Sequence, residues 1–361
     1  MSRGFKKIFL CALHLGKRRK VWYTADSDNS GEERPLESVS GVNNWKLTVR
    51  REAAGVTVLR AVTCDGRAAL PEELWGLPVT ALGDHALAPN APAAPGEEVQ
   101  VTCGPLPEED GWDNRGLKEL TLPRHLRRVG DYALLNCDGL ERLRLWDDVK
   151  FWGGGALMNC RNLRAFHLTR TGEDQGESLA YFADELSREL DVTLVTAAGE
   201  TARLLFPDFL EVYEENCPAH HFDYNIYGAG YPYHHCFRQK KLSFKDYDGL
   251  WKGYLAMEHE ADAALRLAFW RVRYPVELSE PAEKAYLAHL RSQAAEAVDW
   301  LLAEKDMAGL SFLLERTAPS RDTLAAACQR AREAGAAEAV ALLLEEQHRR
   351  FPAGMDKSFD L

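Results

Sequence analysis

Apolar positions in the middle of the chain recur at a fixed interval of 23 residues. Leu117, Leu140 and Leu163 open three copies; Leu120, Leu143 and Phe166 follow, then Leu122, Leu145 and Leu168. The last two positions of each copy are separated by one residue, the alternation of a strand buried on one side. Asn136-Cys137 returns as Asn159-Cys160, and Ala133-Leu134 as Ala156-Leu157. A period of this length predicts a solenoid, whose units cannot bury their own apolar faces and must stack on their neighbours.

Upstream, Leu47 and Val49, then Val56 and Val58, alternate on either side of Gly55. This predicts a β-hairpin from Trp45 that covers the open edge of the first repeat. After Leu168 the repeat degrades into helical spacing over residues 177–190, carried by Leu179, Phe182, Ala183, Leu186 and Leu190, and a closing strand over residues 191–195. From residue 255 the period is helical. One helix spans 255–274 and stops at Pro275, and a second runs from Ser279 to about Glu304. Asp306 caps a short third helix through Glu315, Ser320 caps a fourth that ends at Gly335, and the last spans residues 336–350. Glu296-Ala297-Val298 and Leu301-Leu302 recur 42 residues later as Glu338-Ala339-Val340 and Leu343-Leu344, as in an array of helical hairpins.

The Leu-x-x-Leu-x-Leu phrase resembles the strand segment of leucine-rich repeats. Its continuation, Leu122-Pro123, then Val129-Gly130-Asp131-Tyr132-Ala133-Leu134 and Asn136-Cys137, resembles the BspA-like repeats of bacteria, of the Firmicutes type. An earlier copy stands at Leu70-Pro71, Val79 and Leu82-Gly83-Asp84-His85-Ala86-Leu87. The third copy departs: Trp146 replaces the Pro, and Gly153-Gly154-Gly155 is expected to loosen the turn. The likeness covers residues 55–198. It implies a solenoid of short parallel strands that presents a binding surface; its members range from surface adhesins to proteins of unknown role. The C-terminal helices resemble ankyrin- or HEAT-like arrays, although the ankyrin tetrapeptide is missing.

These readings describe an α+β chain: a leucine-rich-repeat solenoid with an N-terminal β cap, followed by an α-helical hairpin-repeat domain. Residues 1–42 are expected to be a flexible N-terminus, 43–198 the repeat domain with an insertion loop at 88–116, 199–254 an aromatic, His-rich linking segment, 255–351 the helical domain and 352–361 a tail.

Charge sharpens the picture. The 361 residues carry a net −11, yet residues 115–170 hold eleven Lys/Arg against six Asp/Glu. That local excess of +5 leaves −16 for the rest. Strand alternation puts Thr121, Arg144 and His167 in one exposed row, and Glu119, Arg142 and Ala165 in another. Arg142, Arg144, Arg164, His167 and Thr121 are therefore the expected partner-binding residues, and an acidic protein is the expected partner; the chain's own C-terminal half is one such surface. The alternative is a merely solvated face. The overall negative charge argues against a nucleic-acid ligand, and no segment reaches the ~20 apolar residues of a membrane span.

Eight cysteines lie far apart. Cys137 and Cys160 occupy equivalent repeat positions and read as core thiols, which suits a reducing, cytoplasmic setting. Met1 to Lys20 imitates a signal peptide, but its apolar run is short and no small-residue cleavage site follows. A secreted or cell-surface adhesin is the alternative.

Chemistry concentrates in residues 217–236. Cys217, His220, His235 and Cys236 are the ligand types tetrahedral zinc prefers, with His221 and His234 beside them. Their spacing matches no standard zinc module, so the expectation is a packed aromatic segment with no metal or cofactor. A Cys–His nucleophile pair there rests on sequence adjacency alone. Gly-x-Ser-x-Gly, a phosphate loop and His-Glu-x-x-His are all absent. The sequence thus predicts a non-enzymatic protein-interaction module, with a zinc protein or enzyme centred on residues 217–236 as the remaining alternative.

Overall fold

The computed structural model describes residues 21–22, 36–104, 111–172, 176–216 and 221–352. Strands β1 (Val21–Trp22) and β2 (Leu36–Ser40) precede the expected hairpin, β3 (Trp45–Glu52) and β4 (Gly55–Thr63). Trp45, Leu47 and Val49 alternate into the core from β3, and Val56, Val58 and Ala61 do so from β4. Next come β5 (Arg67–Ala69), β6 (Glu73–Leu74), β7 (Leu77–Leu82) and β8 (Glu97–Thr102). β4 runs parallel to β7, so the hairpin does cover the edge of the first repeat.

Two stretches expected to be irregular contain strands. The insertion at 88–116 supplies β8, antiparallel to β3, and the N-terminal stretch supplies β2, parallel to β8, with β1 on β2. The free edge of β3 is the cause: its unpaired N–H and C=O groups need partners, and Val99 and Val101 of β8 also reach the core. Residues 1–20 and 23–35, including the signal-like stretch, lie outside the described residues. The insertion then returns Asn114 to the core. Its Nδ2 donates to the carbonyls of Ala61 and Leu87, each at 2.8 Å, and its Oδ1 accepts from the Thr63 N–H at 3.0 Å. One buried amide thereby ties the cap hairpin to the first turn.

The regular turns hold β9 (Glu119–Thr121), β10 (Arg128–Val129), β11 (Arg142–Trp146), β12 (Phe151–Trp152) and β13 (Ala165–Thr169). Their register is the sequence period: Glu119 pairs with Arg142, Arg142 with Ala165, and Arg128 with Phe151. β5, β9, β11 and β13 form one wall; β7, β10 and β12 lie in the other. Leu120, Leu143, Leu145, Phe166 and Leu168 fill the space between from one side, and Val129, Leu134, Cys137, Leu157 and Cys160 from the other, all at most 2% exposed. A short helix, α1 (Ser178–Glu185), and β14 (Leu190–Val195) form an atypical last turn; the helical spacing expected through 190 ends at Glu185. β15 (Thr201–Phe206) then folds back antiparallel on β14 and ends the sheet.

The turns stack through a polar ladder. Asp84 accepts from the Asp131 N–H and Asp131 from the Gly154 N–H, each at 2.9 Å. Gly153-Gly154-Gly155, expected to loosen its turn, holds it in register. The Gly153 N–H donates to the Val129 carbonyl at 2.9 Å. A Cβ at Gly153 would strike the Asp131 backbone, and one at Gly155 (φ 61°) would meet the Tyr132 ring at 2.7 Å. The Cys160 thiol donates to the Leu134 carbonyl at 3.2 Å, and burial pushes its pKa up to about 12. Cys137 is shifted in the same direction for the same reason, so both stay protonated core groups.

A second hairpin follows, β16 (Leu210–Asn216) and β17 (His221–Tyr227), then α2 (Tyr231–His234), β18 (Phe237–Arg238), β19 (Lys241–Leu242), α3 (Phe244–Gly249) and α4 (Trp251–Ala256). The remaining chain is helical: α5 (Ala261–Arg273), α6 (Glu280–Ser292), α7 (Ala294–Glu304), α8 (Met307–Thr317), α9 (Arg321–Glu333) and α10 (Ala337–Arg350). Asp306 and Ser320 cap α8 and α9 as expected, accepting from the N–H of Gly309 and Thr323. The helix expected from 279 to 304 is broken at Gln293 (φ −111°, ψ 30°). The break lets α6 pack on α5 while α7 turns its buried Ala297, Val298 and Leu301 toward α8 and α9.

The helices are joined to the solenoid by contact, with α5 lying on β15. The Arg203 guanidinium of β15 sits 3.4 Å from the centre of the Trp270 ring of α5. Arg266 makes two hydrogen bonds to Glu189, at 2.8 and 2.7 Å. Deeper in, Arg271 donates twice to Asp248, each at 2.8 Å, and the Tyr286 hydroxyl donates to the same carboxylate at 2.9 Å. These fully buried groups fix α3, α5 and α6 to one another; removing either partner of such a pair costs about 3–5 kcal/mol.

Candidate partner-binding face

The outward side of the β5–β9–β11–β13–β14–β15 wall is the surface that the repeat leaves for recognition. Register brings Thr121, Arg144 and His167 side by side in one row, continued by Thr193 of β14 and Arg203 of β15. The neighbouring row reads Arg67, Glu119, Arg142, Ala165 and Asp191. Alternation is the cause, since Leu143 and Leu145 point into the core on either side of an exposed Arg144.

Charge on this face is compensated across turns. Arg142 Nη1 donates to Glu119 Oε1 at 2.7 Å, and Arg67 lies 3.4 Å from the same oxygen. Arg203 pairs with Asp191 through two hydrogen bonds, one at 3.0 Å. At the sheet's rim Lys118 faces Glu141 and Arg161 faces Asp138, each at 3.8 Å and each 23 residues apart. The +5 counted along the sequence is thus spread around the circumference: Arg115, Lys118, Arg127, Arg142 and Arg161 have carboxylate partners, while Arg124, Arg128, Lys150 and Arg164 make no ion pair among the described residues. Within the two rows Arg144 differs: it is exposed and makes no ion pair among the described residues. Burial, with the Arg144 guanidinium beside it, holds His167 below the ordinary imidazole range, so at neutral pH His167 adds no charge.

Arg164 stands apart from this row. It precedes β13 and lines a cleft with Arg188, Glu189, Asp208, Glu260, Asp262 and Arg266, beside the start of α5. Sequence reading missed Arg203, and it placed Glu119 in the exposed row without its role as the counter-charge of Arg142. The alternation of Thr201 and Arg203 with buried Ala202 and Leu204 was the available signal for the first, and the 23-residue spacing of Glu119 from Arg142 for the second.

The histidine and cysteine candidates are used structurally where they are described. His234 is buried with Nδ1 at 2.9 Å from the Ala183 carbonyl and Nε2 at 2.9 Å from the Pro207 carbonyl. Burial outweighs these contacts and lowers its pKa. His235 Nδ1 faces the Tyr231 carbonyl at 2.9 Å while its ring stacks on Tyr231. The Cys236 thiol donates to the Tyr233 carbonyl at 3.0 Å, and burial raises its pKa to about 12, away from the thiolate a metal or a nucleophilic mechanism requires. Cys217 and His220 lie outside the described residues, as does the side chain of His221. No group of three or more potential metal ligands comes together among the described residues, and none of their helices is long and apolar enough to cross a membrane.

No protein-family model matches the chain. No curated protein matches it either. Among solved structures, the T. pallidum Leucine Rich Repeat protein (TpLRR) is similar over 34% of this chain and 68% of that one, with 18% identity and a TM-score of 0.20. The repeat character of the fold stands on the chain's own ladder: five parallel strands, one per turn, from β5 to β14.

Proposed function

We propose that this chain is a protein-interaction module of the BspA-like repeat type, whose outward strand face receives an acidic segment of a partner protein around Arg144. The observation that carries this reading is the contrast along β11: Arg142 is already answered by Glu119, while the exposed Arg144 beside it makes no ion pair among the described residues. Thr121 and His167 flank it, with Thr193 one strand beyond, as groups that donate or accept hydrogen bonds. A rigid stack holds these groups in fixed geometry, so charge sets encounter rate and register sets orientation. Six described cysteines are free thiols, four of them buried, which supports a reducing compartment.

The test is capture from native lysate with the tagged full-length protein, compared with Arg144→Glu and Arg142→Glu versions. A partner retained by the parent and by Arg142→Glu, but lost from Arg144→Glu, supports the reading. Equal retention by all three sinks it, as does equal loss from both variants.

A further inference from the structure

Arg164, left outside the outward row, belongs to a cleft of about 240 Å³ where the last solenoid turn, the root of the β16–β17 hairpin and the start of α5 meet. Every side chain that lines it is charged. Three are already joined: Arg266 donates to both carboxylate oxygens of Glu189 and, at 2.8 Å, to Asp262. Four are not. Arg164, Arg188, Asp208 and Glu260 make no ion pair among the described residues. Two cations and two carboxylates thus share one concavity without closing on each other.

The scaffold holds them in place. The backbone of Arg164 is locked between turns, its N–H donating to the Glu141 carbonyl at 3.2 Å and its carbonyl accepting from the Asp191 N–H at 2.8 Å. Arg188, on the turn between α1 and β14, donates from Nη1 to the carbonyl of buried Cys160 at 2.7 Å, which fixes its guanidinium. Asp208 stands on the clamped root of the hairpin. Gly230 packs so closely on the Pro207 and Asp208 carbonyls that a Cβ has no room, and His234 Nε2 meets the Pro207 carbonyl. The Phe209 N–H donates to the Ser187 carbonyl at 2.9 Å, and its ring packs edge-on against Tyr231 and His234. Glu260 immediately precedes α5, the helix that Arg266 ties to Glu189.

The charges are also sorted. Burial lowers the pKa of Arg188, and the Arg164 guanidinium pushes it the same way, so the two cations are neighbours. Burial raises the pKa of the Tyr254 hydroxyl of α4, and Asp208, Glu189 and Glu260 add to that shift, so the carboxylates gather there. A simple anion or cation would be favoured at one end and repelled at the other. A molecule that carries both charges is favoured at both. Its anion would relieve the opposition of the two guanidiniums and take charge-assisted hydrogen bonds from them, as its cation would for the carboxylates. The cleft is smaller than the roughly 300–1,000 Å³ of sites that take drug-sized ligands, which limits the occupant to about the size of an amino acid.

We propose that this cleft binds a free amino acid as its zwitterion, the α-carboxylate on Arg164 and Arg188 and the α-ammonium on Asp208 and Glu260. The charged lining selects a polar side chain over an apolar one. The junction of solenoid and helices is the kind of place where small-ligand sites form. This site is independent of Arg144.

The experiment is to titrate full-length protein with each of the common amino acids by calorimetry, then to repeat the binders as their N-acetyl and carboxamide forms. Binders are also measured on Arg164→Gln, Asp208→Asn and Arg144→Glu. The expected result is saturable binding of at least one polar amino acid. Blocking either end, or changing Arg164 or Asp208, weakens it by about tenfold or more, the loss of one hydrogen bond to a charged group. Arg144→Glu leaves it unchanged. Arg164 and Asp208 are exposed, so the thermal midpoints of their variants match the parent's, which separates lost recognition from lost folding. The proposal is overturned if no amino acid gives a saturable heat, or if a blocked form binds as well as the free one. Binding that survives both cleft variants, or that disappears with Arg144→Glu, overturns it too.

Discussion

On the outward side of β11, Arg142 is answered by Glu119 of the preceding turn, whereas on the second hairpin Glu214 faces Asp223, carboxylate opposite carboxylate. Both surfaces consist of short strands with alternating side chains. They differ in what lies alongside. A solenoid strand has a neighbour on each side, so a charge at one position can be offset by its counterpart 23 residues away, as Lys118–Glu141 and Asp138–Arg161 also show. A tally of charge along the sequence therefore says little about where a molecule recognises others; the charges left unanswered after stacking say more.

The widest separation between the two regions is in stability. Leu143, fully buried in the central turn, should cost about 2–5 kcal/mol when changed to Ala. Tyr213, 70% exposed on the hairpin, should cost within about 0.5 kcal/mol for the same change. Urea unfolding of the two variants measures both, and comparable losses would show that the hairpin is a structural element rather than an exposed arm. Asn114→Ala comes next, since it strands the Thr63 N–H and two carbonyls inside the cap, at about 1–3 kcal/mol. Faster hydrogen exchange at the Thr63 amide should accompany the loss.

The clamp at the hairpin root has its own signature in pH. Burial lowers the folded-state pKa of His234, as it does for His167 and His289, so the unfolded chain takes up protons first as pH falls. Stability is therefore complete above the unfolded-state value of about 6.5 and declines as pH drops through and below it. Thermal midpoints at neutral and mildly acidic pH test this; a midpoint that rises on acidification contradicts the sign. The smallest effect belongs to Glu214→Gln, which removes the like-charge opposition and should raise stability by about 0.3 kcal/mol. A loss of stability would mean that Glu214 has a counter-charge and that the contrast with Arg142 is overdrawn.

Much of the solenoid was legible in the sequence because each buried position is fixed three times over, at 23-residue intervals. Thr121, Arg144 and His167 fall in one row for the same reason. Other features left weaker traces. β2 and β8 are strands because β3 offers an edge, and an edge strand takes its register from its neighbour more than from its own pattern. The bend at Gln293 is made without Pro or Gly, so tertiary packing alone decides it. Asn114 reads as one polar residue in a polar loop; only the fold reveals three backbone groups converging on it. On the hairpin, β16 left only a weak trace, because Glu211, Glu214 and Glu215 depress β-propensity while Leu210, Val212 and Tyr213 carry it. Arg164 was misplaced because it sits just before β13, where strand alternation no longer governs direction.

The hydroxyl of Tyr247 donates to the Leu205 carbonyl at 2.5 Å and accepts from the Leu205 N–H at 3.1 Å. One side-chain oxygen thus takes the place that a further strand would occupy beside β15. Viewed as a growing fibre, the stack has a stopper at this end. Tyr247→Phe would leave both backbone groups of Leu205 without that partner, and the consequence should appear during storage rather than in binding: slow end-to-end elongation of a protein that otherwise remains a discrete particle.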